Sequence, residues 1–129
     1  MAMEFSSTKL PSGRPALYIK CSGQVTADDA ERLKREAGLN GQYYGLPMLN
    51  IMAPGTDVSM EARKIFANMG DTTGDYPVAF VLDSAPLRLI INFIIKAGNL
   101  KRTTPTNLKF FSEESEAMKW LDVESQKQG

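Results

Sequence analysis

Any acid–base chemistry in this chain would rest mainly on its carboxylates, because the sequence has no histidine. The candidate acids and bases are Asp57, Asp71, Asp75 and Asp83. Each lies at a predicted turn or helix start, where a structural role accounts for it. No predicted element pairs two carboxylates with a nucleophile or a metal ligand, as such chemistry would require. We therefore expect a protein that is not an enzyme.

Composition excludes several other kinds of site. With no histidine and with Cys21 as its single cysteine, the chain cannot build a Cys/His metal site, a histidine-based triad or an intramolecular disulfide. We expect no cofactor. The fifteen Lys and Arg residues balance fifteen Asp and Glu residues, so no overall charge recruits nucleic acid. Cys21 lies on the apolar side of a predicted strand, which favours a small core residue over a reactive thiol.

Two serines and three cations are candidates for regulation. Ser59 and Ser84 lie at predicted helix starts, where a hydroxyl caps the helix and where a phosphate would also be stabilised. Capping is the simpler interpretation, and both serines stay open as regulatory sites. Lys96, Lys101 and Arg102 form a possible anion patch, although a solvated loop is the favoured interpretation, since no glycine-rich turn accompanies them.

The rest of the chain is organised around a helix predicted over residues 87–97. Its polar side chains, Arg88, Asn92 and Lys96, share one narrow stripe, which leaves an apolar arc of roughly 240°. Packing against a sheet needs an arc of only about 100°. The excess must be covered by another part of the chain, by a second copy, or by an apolar ligand for which this helix forms a pocket wall.

We expect the sheet to take the face of this helix that is centred on Ile90 and Ile94. One flank, formed by Leu87, Ile91 and Ile95, is then left over, since residues three and four apart are neighbours on a helix surface. A second copy around a twofold axis or an apolar ligand is predicted to cover this flank. The homodimer is favoured because a twofold contact needs only one self-complementary patch.

Length and hydropathy bound the domain and its location. A chain of 129 residues is expected to form one domain, residues 1–129. Its longest apolar run is interrupted by Arg88, Asn92 and Lys96 and is too short to span a bilayer, so no stable membrane insertion is expected. No N-terminal segment has the pattern of a signal peptide. We therefore expect a cytoplasmic protein.

The order of predicted elements is β-β-α-β-α-β-α-β-α. A β-hairpin opens the chain, Met48–Met52 and Tyr76–Leu82 are predicted as adjacent interior strands, and the last helix is expected to lose its pattern after Leu121. Strands that alternate with helices predict an α/β fold with a mixed, mostly parallel sheet. The expected core residues are Ile51, Ile65, Phe66, Val78, Phe80, Leu82, Ile90, Ile94 and Phe110.

Four strings in the second half of the chain carry a family resemblance: VAFVLDS, LRLIINFIIKAG, TTPTNLKFF and EESEAMKWL. They resemble the C-terminal half of SpoIIAA-like proteins, a bacterial branch of the STAS superfamily related to anti-sigma-factor antagonists. The resemblance implies a βα superhelix over a mixed sheet. It also implies protein–protein regulation and, in some branches, binding of small or apolar molecules.

The sequence departs from the founding antagonists at their regulatory motif. Those proteins are switched by phosphorylation of a serine in an Asp-Ser-Ser-Gly-like turn, whereas the equivalent turn here is Gly55-Thr56-Asp57-Val58-Ser59. The function expected from sequence is a non-enzymatic, cytoplasmic, STAS-like regulatory or scaffold module that acts through protein–protein contact and forms a homodimer. The alternative is a small carrier or sensor of an apolar ligand bound beside the helix over residues 87–97.

Overall fold

The computed structural model of the protein describes residues 2–69 and 76–128. A five-stranded sheet in the order β1-β2-β4-β6-β7 is its centre, and two further short strands pair with each other. The elements in chain order are β1 Met3–Lys9, β2 Pro15–Cys21, β3 Gln24–Val25, α1 Ala27–Ala37, β4 Met48–Met52, β5 Asp57–Val58, α2 Met60–Ala67, β6 Val78–Val81, α3 Ala85–Asn99, β7 Leu108–Phe111 and α4 Glu114–Gln128.

The sheet is mixed and mostly parallel, as the sequence predicts. Only β1 runs antiparallel to its neighbour, and it forms the expected N-terminal hairpin with β2. The strands β2, β4, β6 and β7 are parallel to one another in sequence order. The predicted pairing of β4 with β6 is confirmed, with Met48 opposite Val78. The absence of polar alternation in β6 reflects helices on both faces of this strand.

Three helices cover one face of the sheet and one helix covers the other. Apolar side chains of α1, α2 and α3 form one core cluster with β2, β4 and β6. The helix α4 packs on β4, β6 and β7, where Ala117 and Leu121 are fully buried. The predicted α/β architecture is therefore confirmed, and the four helices are divided unequally between the two faces.

The predicted core residues are only partly confirmed. Val78, Leu82 and Ile94 are buried, while the other six are half-buried and pack against the core clusters: Ile51, Ile65, Phe66, Phe80, Ile90 and Phe110. The largest fully buried side chains are other ones: Leu17, Ile19, Leu49, Leu121, Val25 and Pro77. Periodicity identifies which side chains face inward, but the depth of each one depends on the helices that cover it.

The C-terminal helix is longer than the sequence predicts. It continues to Gln128 instead of ending near Leu121, because polar contacts with the β1–β2 turn hold its last turns. The backbone N–H and the hydroxyl of Ser12 donate to the Asp122 carboxylate at 3.0 and 2.6 Å. The Arg14 guanidinium donates to the Ser125 carbonyl at 3.3 Å. These contacts join residues more than a hundred positions apart, which local sequence patterns do not reveal.

The helix α3 also continues past residue 97, where the predicted helix ends, and reaches Asn99. Gly98 is buried inside the helix, and a Cβ atom there would lie 3.7 Å from the carbonyl oxygen of Ala67 in α2. The glycine therefore lies where α3 contacts α2, with room for an ordinary side-chain contact, and it does not terminate the helix. A glycine near the end of an apolar stretch fits either role in the sequence alone.

Candidate functional site

A cavity of about 150 Å³ lies between the sheet and the three helices α1, α2 and α3. Its wall is mainly apolar, and four methionines contribute to it: Met3, Met48, Met52 and Met69. Ile91, Ile94 and Ile95 of α3 complete the wall on the helix side. Methionine side chains are unbranched and polarizable, so such a wall can adapt to apolar molecules of different shapes.

Few polar groups reach the cavity. The Asn50 amide donates to the Ala79 carbonyl at 3.3 Å, which satisfies part of its hydrogen-bonding capacity inside the core. Burial, and secondarily the charge of Asp29, raises the pKa of the Cys21 thiol to about 12. The thiol is therefore protonated at neutral pH and is a poor nucleophile. The prediction that Cys21 is a small core residue is confirmed.

The buried face of α3 differs from the predicted one. Leu87 and Ile91 are 3 % and 4 % exposed, and Ile95 is half-buried against the core. The prediction that this flank is left uncovered by the rest of the chain is therefore wrong for Leu87 and Ile91. The helix is rotated because it packs against both the sheet and α2, which brings the line from Leu87 through Ile94 to Gly98 inward.

The opposite face of α3 carries the excess apolar surface. Leu89, Phe93 and Leu100 are 71 %, 75 % and 88 % exposed. They recur four and seven residues apart, so they form one line along the helix and its cap, which we call the outer stripe. The apolar arc in the sequence predicts an excess of this kind. Its position could not be predicted without the orientation of the helix.

The three cations of the predicted anion patch have different surroundings. Arg102 lines the cavity, and its Nε donates to the Thr104 carbonyl at 3.1 Å. Lys96 and Lys101 are exposed and are not among the residues that line the cavity. Anion binding by these residues stays a prediction.

Both candidate serines cap helices. The Ser59 hydroxyl accepts a hydrogen bond from the backbone N–H of Ala62 at 3.1 Å. The Ser84 hydroxyl accepts one from the backbone N–H of Leu87 at 3.2 Å. The structural role that the sequence favours for them is thus confirmed, and regulation through either hydroxyl stays a prediction.

The candidate acids do not form a site in the described part of the chain. Asp57 and Asp83 are exposed, and neither lines the cavity. Asp71 and Asp75 lie outside the described residues. Within residues 2–69 and 76–128, no group of three or more cysteine or acidic side chains is placed to hold a metal ion. No helix in these ranges is long and apolar enough to cross a bilayer.

Comparison with known proteins identifies the family. The model of a domain of unknown function, DUF7793, matches residues 19–124. The chain belongs to the DUF7793 family. The match extends from β2 into α4, so it includes the outer stripe and every residue that lines the cavity except Met3. Comparison with curated protein sequences gave no significant match.

A solved structure supports the fold across nearly the whole DUF7793 chain. It is an uncharacterized protein from the DUF3478 family with a SpoIIAA-like fold, from Shewanella loihica PV-4. The two structures superpose with a TM-score of 0.64 and 19 % sequence identity, over 93 % of this chain and 94 % of that one. The SpoIIAA-like fold predicted from sequence is therefore confirmed. The special likeness of the C-terminal half stays a prediction.

Proposed function

We propose that this protein is a non-enzymatic, STAS-like regulatory or scaffold module that acts in the cytoplasm through protein–protein contact. The observation that carries this proposal is the outer stripe of Leu89, Phe93 and Leu100 on α3. Large apolar side chains that are exposed together on one element mark an interaction surface more often than scattered ones do. The SpoIIAA-like fold supports the broader assignment to a STAS-like regulatory module.

The size of the outer stripe limits how it can bind. Burying one exposed Leu or Phe side chain contributes about 1.5–3 kcal/mol, so three of them contribute roughly 4–9 kcal/mol. Association costs an estimated 4–15 kcal/mol in lost translational and rotational freedom. The stripe therefore supplies the centre of an interface, and a partner must add further contacts around it.

The case against an enzyme rests on the groups that are present. The buried thiol of Cys21 is held in its protonated form, which makes it a poor nucleophile. The exposed carboxylates Asp57 and Asp83 lie away from the cavity. A catalytic acid or base must come within hydrogen-bond reach of its substrate, and neither carboxylate lines the cavity.

Substitution of Phe93 tests the proposed contact surface. We expect wild-type protein purified from its host to carry a protein partner or a second copy in native mass spectrometry, and Phe93→Asp to lose it. Because Phe93 is largely exposed, the variant should keep the wild-type circular dichroism spectrum. The matched control is Leu39→Asp, which changes an equally exposed apolar residue on another surface. Identical mass distributions for wild type and Phe93→Asp would overturn the proposal.

The homodimer predicted from sequence is the simplest form of this proposal, since one patch then serves both subunits. Its contact surface would be the outer stripe, because Leu87 and Ile91 are already buried within the subunit. Native mass spectrometry distinguishes a homodimer from a complex with another protein by its mass. A species of twice the subunit mass that Phe93→Asp abolishes would support the homodimer.

A second candidate function is a carrier or sensor of an apolar ligand, and the cavity beside α3 favours it. Its volume of about 150 Å³ is comparable to that of engineered apolar cavities that bind benzene-sized molecules in other proteins. The ligand would contact Ile91, Ile94 and Ile95 on the helix side. The cavity is large enough for one small apolar molecule.

Toluene is a suitable probe for this second function. A ligand that binds only the folded state raises the unfolding temperature in a saturable way, so we expect such a rise for the wild type. Ile95→Trp should reduce it by filling the cavity from a half-buried wall position. Leu89→Trp, on the exposed side of the same helix, should leave it unchanged. A wild type without a saturable rise would exclude this function for ligands of that size.

A further inference from the structure

Charge is distributed unevenly along this electrically neutral chain. Residues 84–112 contain no Asp or Glu, while they contain five basic residues: Arg88, Lys96, Lys101, Arg102 and Lys109. The compensating acidic residues all lie elsewhere in the chain. The segment that carries the outer stripe is therefore basic, and it is the longest stretch of the chain without an acidic residue.

One of these cations belongs to the outer stripe itself. At 100° per residue, Leu89, Phe93, Lys96 and Leu100 project within an arc of about 60°. Lys96 is exposed and contributes a charge between Phe93 and Leu100. Lys101 is exposed directly after Leu100. From Leu89 to Leu100 the stripe is about 16 Å long, so it is long, narrow and positively charged.

These features favour one kind of occupant over the others. A second copy would bring the same positive side chains to the contact, and like charges at an interface are unfavourable. A bilayer suits a broad apolar face with its cations on the opposite side, whereas Lys96 lies within the stripe. A narrow line of apolar residues spaced four and seven apart matches the ridge of one helix packed on another.

We propose that the outer stripe binds an acidic amphipathic helix of another protein. This inference rests on the proposed function and names its partner. The apolar side chains of that helix pack on Leu89, Phe93 and Leu100, while its Asp or Glu side chains pair with Lys96 and Lys101. The charge pairs add the contacts that the apolar stripe needs and select against basic partners.

Two designed peptides test this inference. Both are amphipathic helices with leucines at the spacing of the outer stripe, and the flanking positions are Glu in one and Lys in the other. Fluorescence anisotropy with the full-length protein should show at least tenfold tighter binding of the Glu peptide at low salt. The difference should shrink as salt screens the charges.

Charge reversal on the protein provides the matched control. Lys96→Glu/Lys101→Glu should reverse the preference between the two peptides. Lys9→Glu/Lys20→Glu makes the same change of charge at exposed positions of the hairpin, and it should keep the preference of the wild type. Phe93→Asp should weaken the binding of both peptides.

The possible outcomes separate this inference from the proposed function. Absence of binding, or equal binding of the two peptides, overturns the acidic helix as partner. If the wild type then self-associates through Phe93, the partner is a second copy and protein–protein contact stands. If it instead sediments with vesicles of phosphatidylcholine and phosphatidylserine, and Phe93→Asp does not, the surface binds lipid and both proposals fail. Both also fail if Phe93→Asp changes none of these measurements.

Discussion

The two faces of the five-stranded sheet are packed in different ways. On the α4 face, small and branched side chains fit closely, and five of them are fully buried: Ala16, Leu49, Ala79, Ala117 and Leu121. On the face covered by α1, α2 and α3, methionines and isoleucines surround a cavity of about 150 Å³. The three-helix face also has fully buried side chains, among them Leu17, Ile19 and Ala30, so the two faces differ mainly in this cavity.

This difference separates stability from candidate function. Close packing is sensitive to any change of side-chain volume, so the α4 face is expected to contribute a large share of the stability. The three-helix face contains the empty volume, and its helix α3 also presents the outer stripe to solvent. Both candidate functions therefore depend on a helix that covers the face with the cavity.

The largest expected effect is on the α4 face. Leu121→Ala removes a fully buried side chain and should lower the free energy of unfolding by about 2–5 kcal/mol, since the close packing leaves little room to collapse around the gap. Urea denaturation measures this change. Leu89→Ala is the control, and because Leu89 is exposed it should change the value by less than about 0.5 kcal/mol. Equal effects of the two substitutions would contradict the view that the α4 face contributes a large share of the stability.

The contact between α4 and the hairpin turn comes next. Asp122 is buried and accepts two hydrogen bonds from Ser12, and hydrogen bonds to a charged group contribute about 1.5–3 kcal/mol. Asp122→Ala should therefore destabilise the protein by an amount in this range and increase hydrogen exchange in the last turns of α4. Glu116→Ala, an exposed position of the same helix, is the control. Unchanged hydrogen exchange near residue 125 would show that the hydrogen bonds between Ser12 and Asp122 do not hold these turns.

Two neighbouring residues of β6 compare the faces directly, because they point to opposite sides of the sheet. Ala79→Val adds volume on the α4 face, where Ala79 is fully buried, and should cost about 1–3 kcal/mol. Val78→Ile adds volume to the cavity wall and should change the stability by less than about 1 kcal/mol. Urea denaturation of both variants shows which substitution costs more stability. A greater loss for Val78→Ile would reverse the assignment of the tightly packed face.

The smallest expected effect is a pH dependence on the α4 face. Burial, together with the hydrogen bond to Glu114, raises the pKa of Tyr18 from 10.0 to about 12. The neutral phenol therefore stabilises the folded state below pH 10, and this contribution disappears as the pH rises from 10 to 12. Above pH 10, the free energy of unfolding should decrease less steeply with pH in Tyr18→Phe than in the protein that keeps Tyr18. Both proteins should carry Cys21→Ala, since the raised pKa of that thiol acts in the same direction. Parallel curves of unfolding free energy against pH for the two proteins would exclude this role for Tyr18.

Local sequence patterns predicted the fold well because each pattern is a short-range property of the chain. The hairpin, the parallel pairing of β4 with β6 and the Ser59 and Ser84 caps all follow from alternation, turn formers or hydroxyls at helix starts. The apolar excess of α3 is a property of its composition, so the sequence also predicted an uncovered surface. The hairpin and the caps do not depend on which distant residues meet, and the parallel pairing follows from the alternation of strands and helices.

The tertiary structure decided where that surface lies and where the empty volume lies. Packing against α2 and the core fixes the orientation of α3, which buries Leu87 and exposes Phe93. Likewise, the contact of Ser12 with Asp122 sets the end of α4. The cavity arises where side chains of three helices and six strands fail to fill the space between them. The sequence by itself determined the elements, their order and the amount of apolar surface. The orientation of each helix depends on packing between residues far apart in the chain, which no local pattern contains.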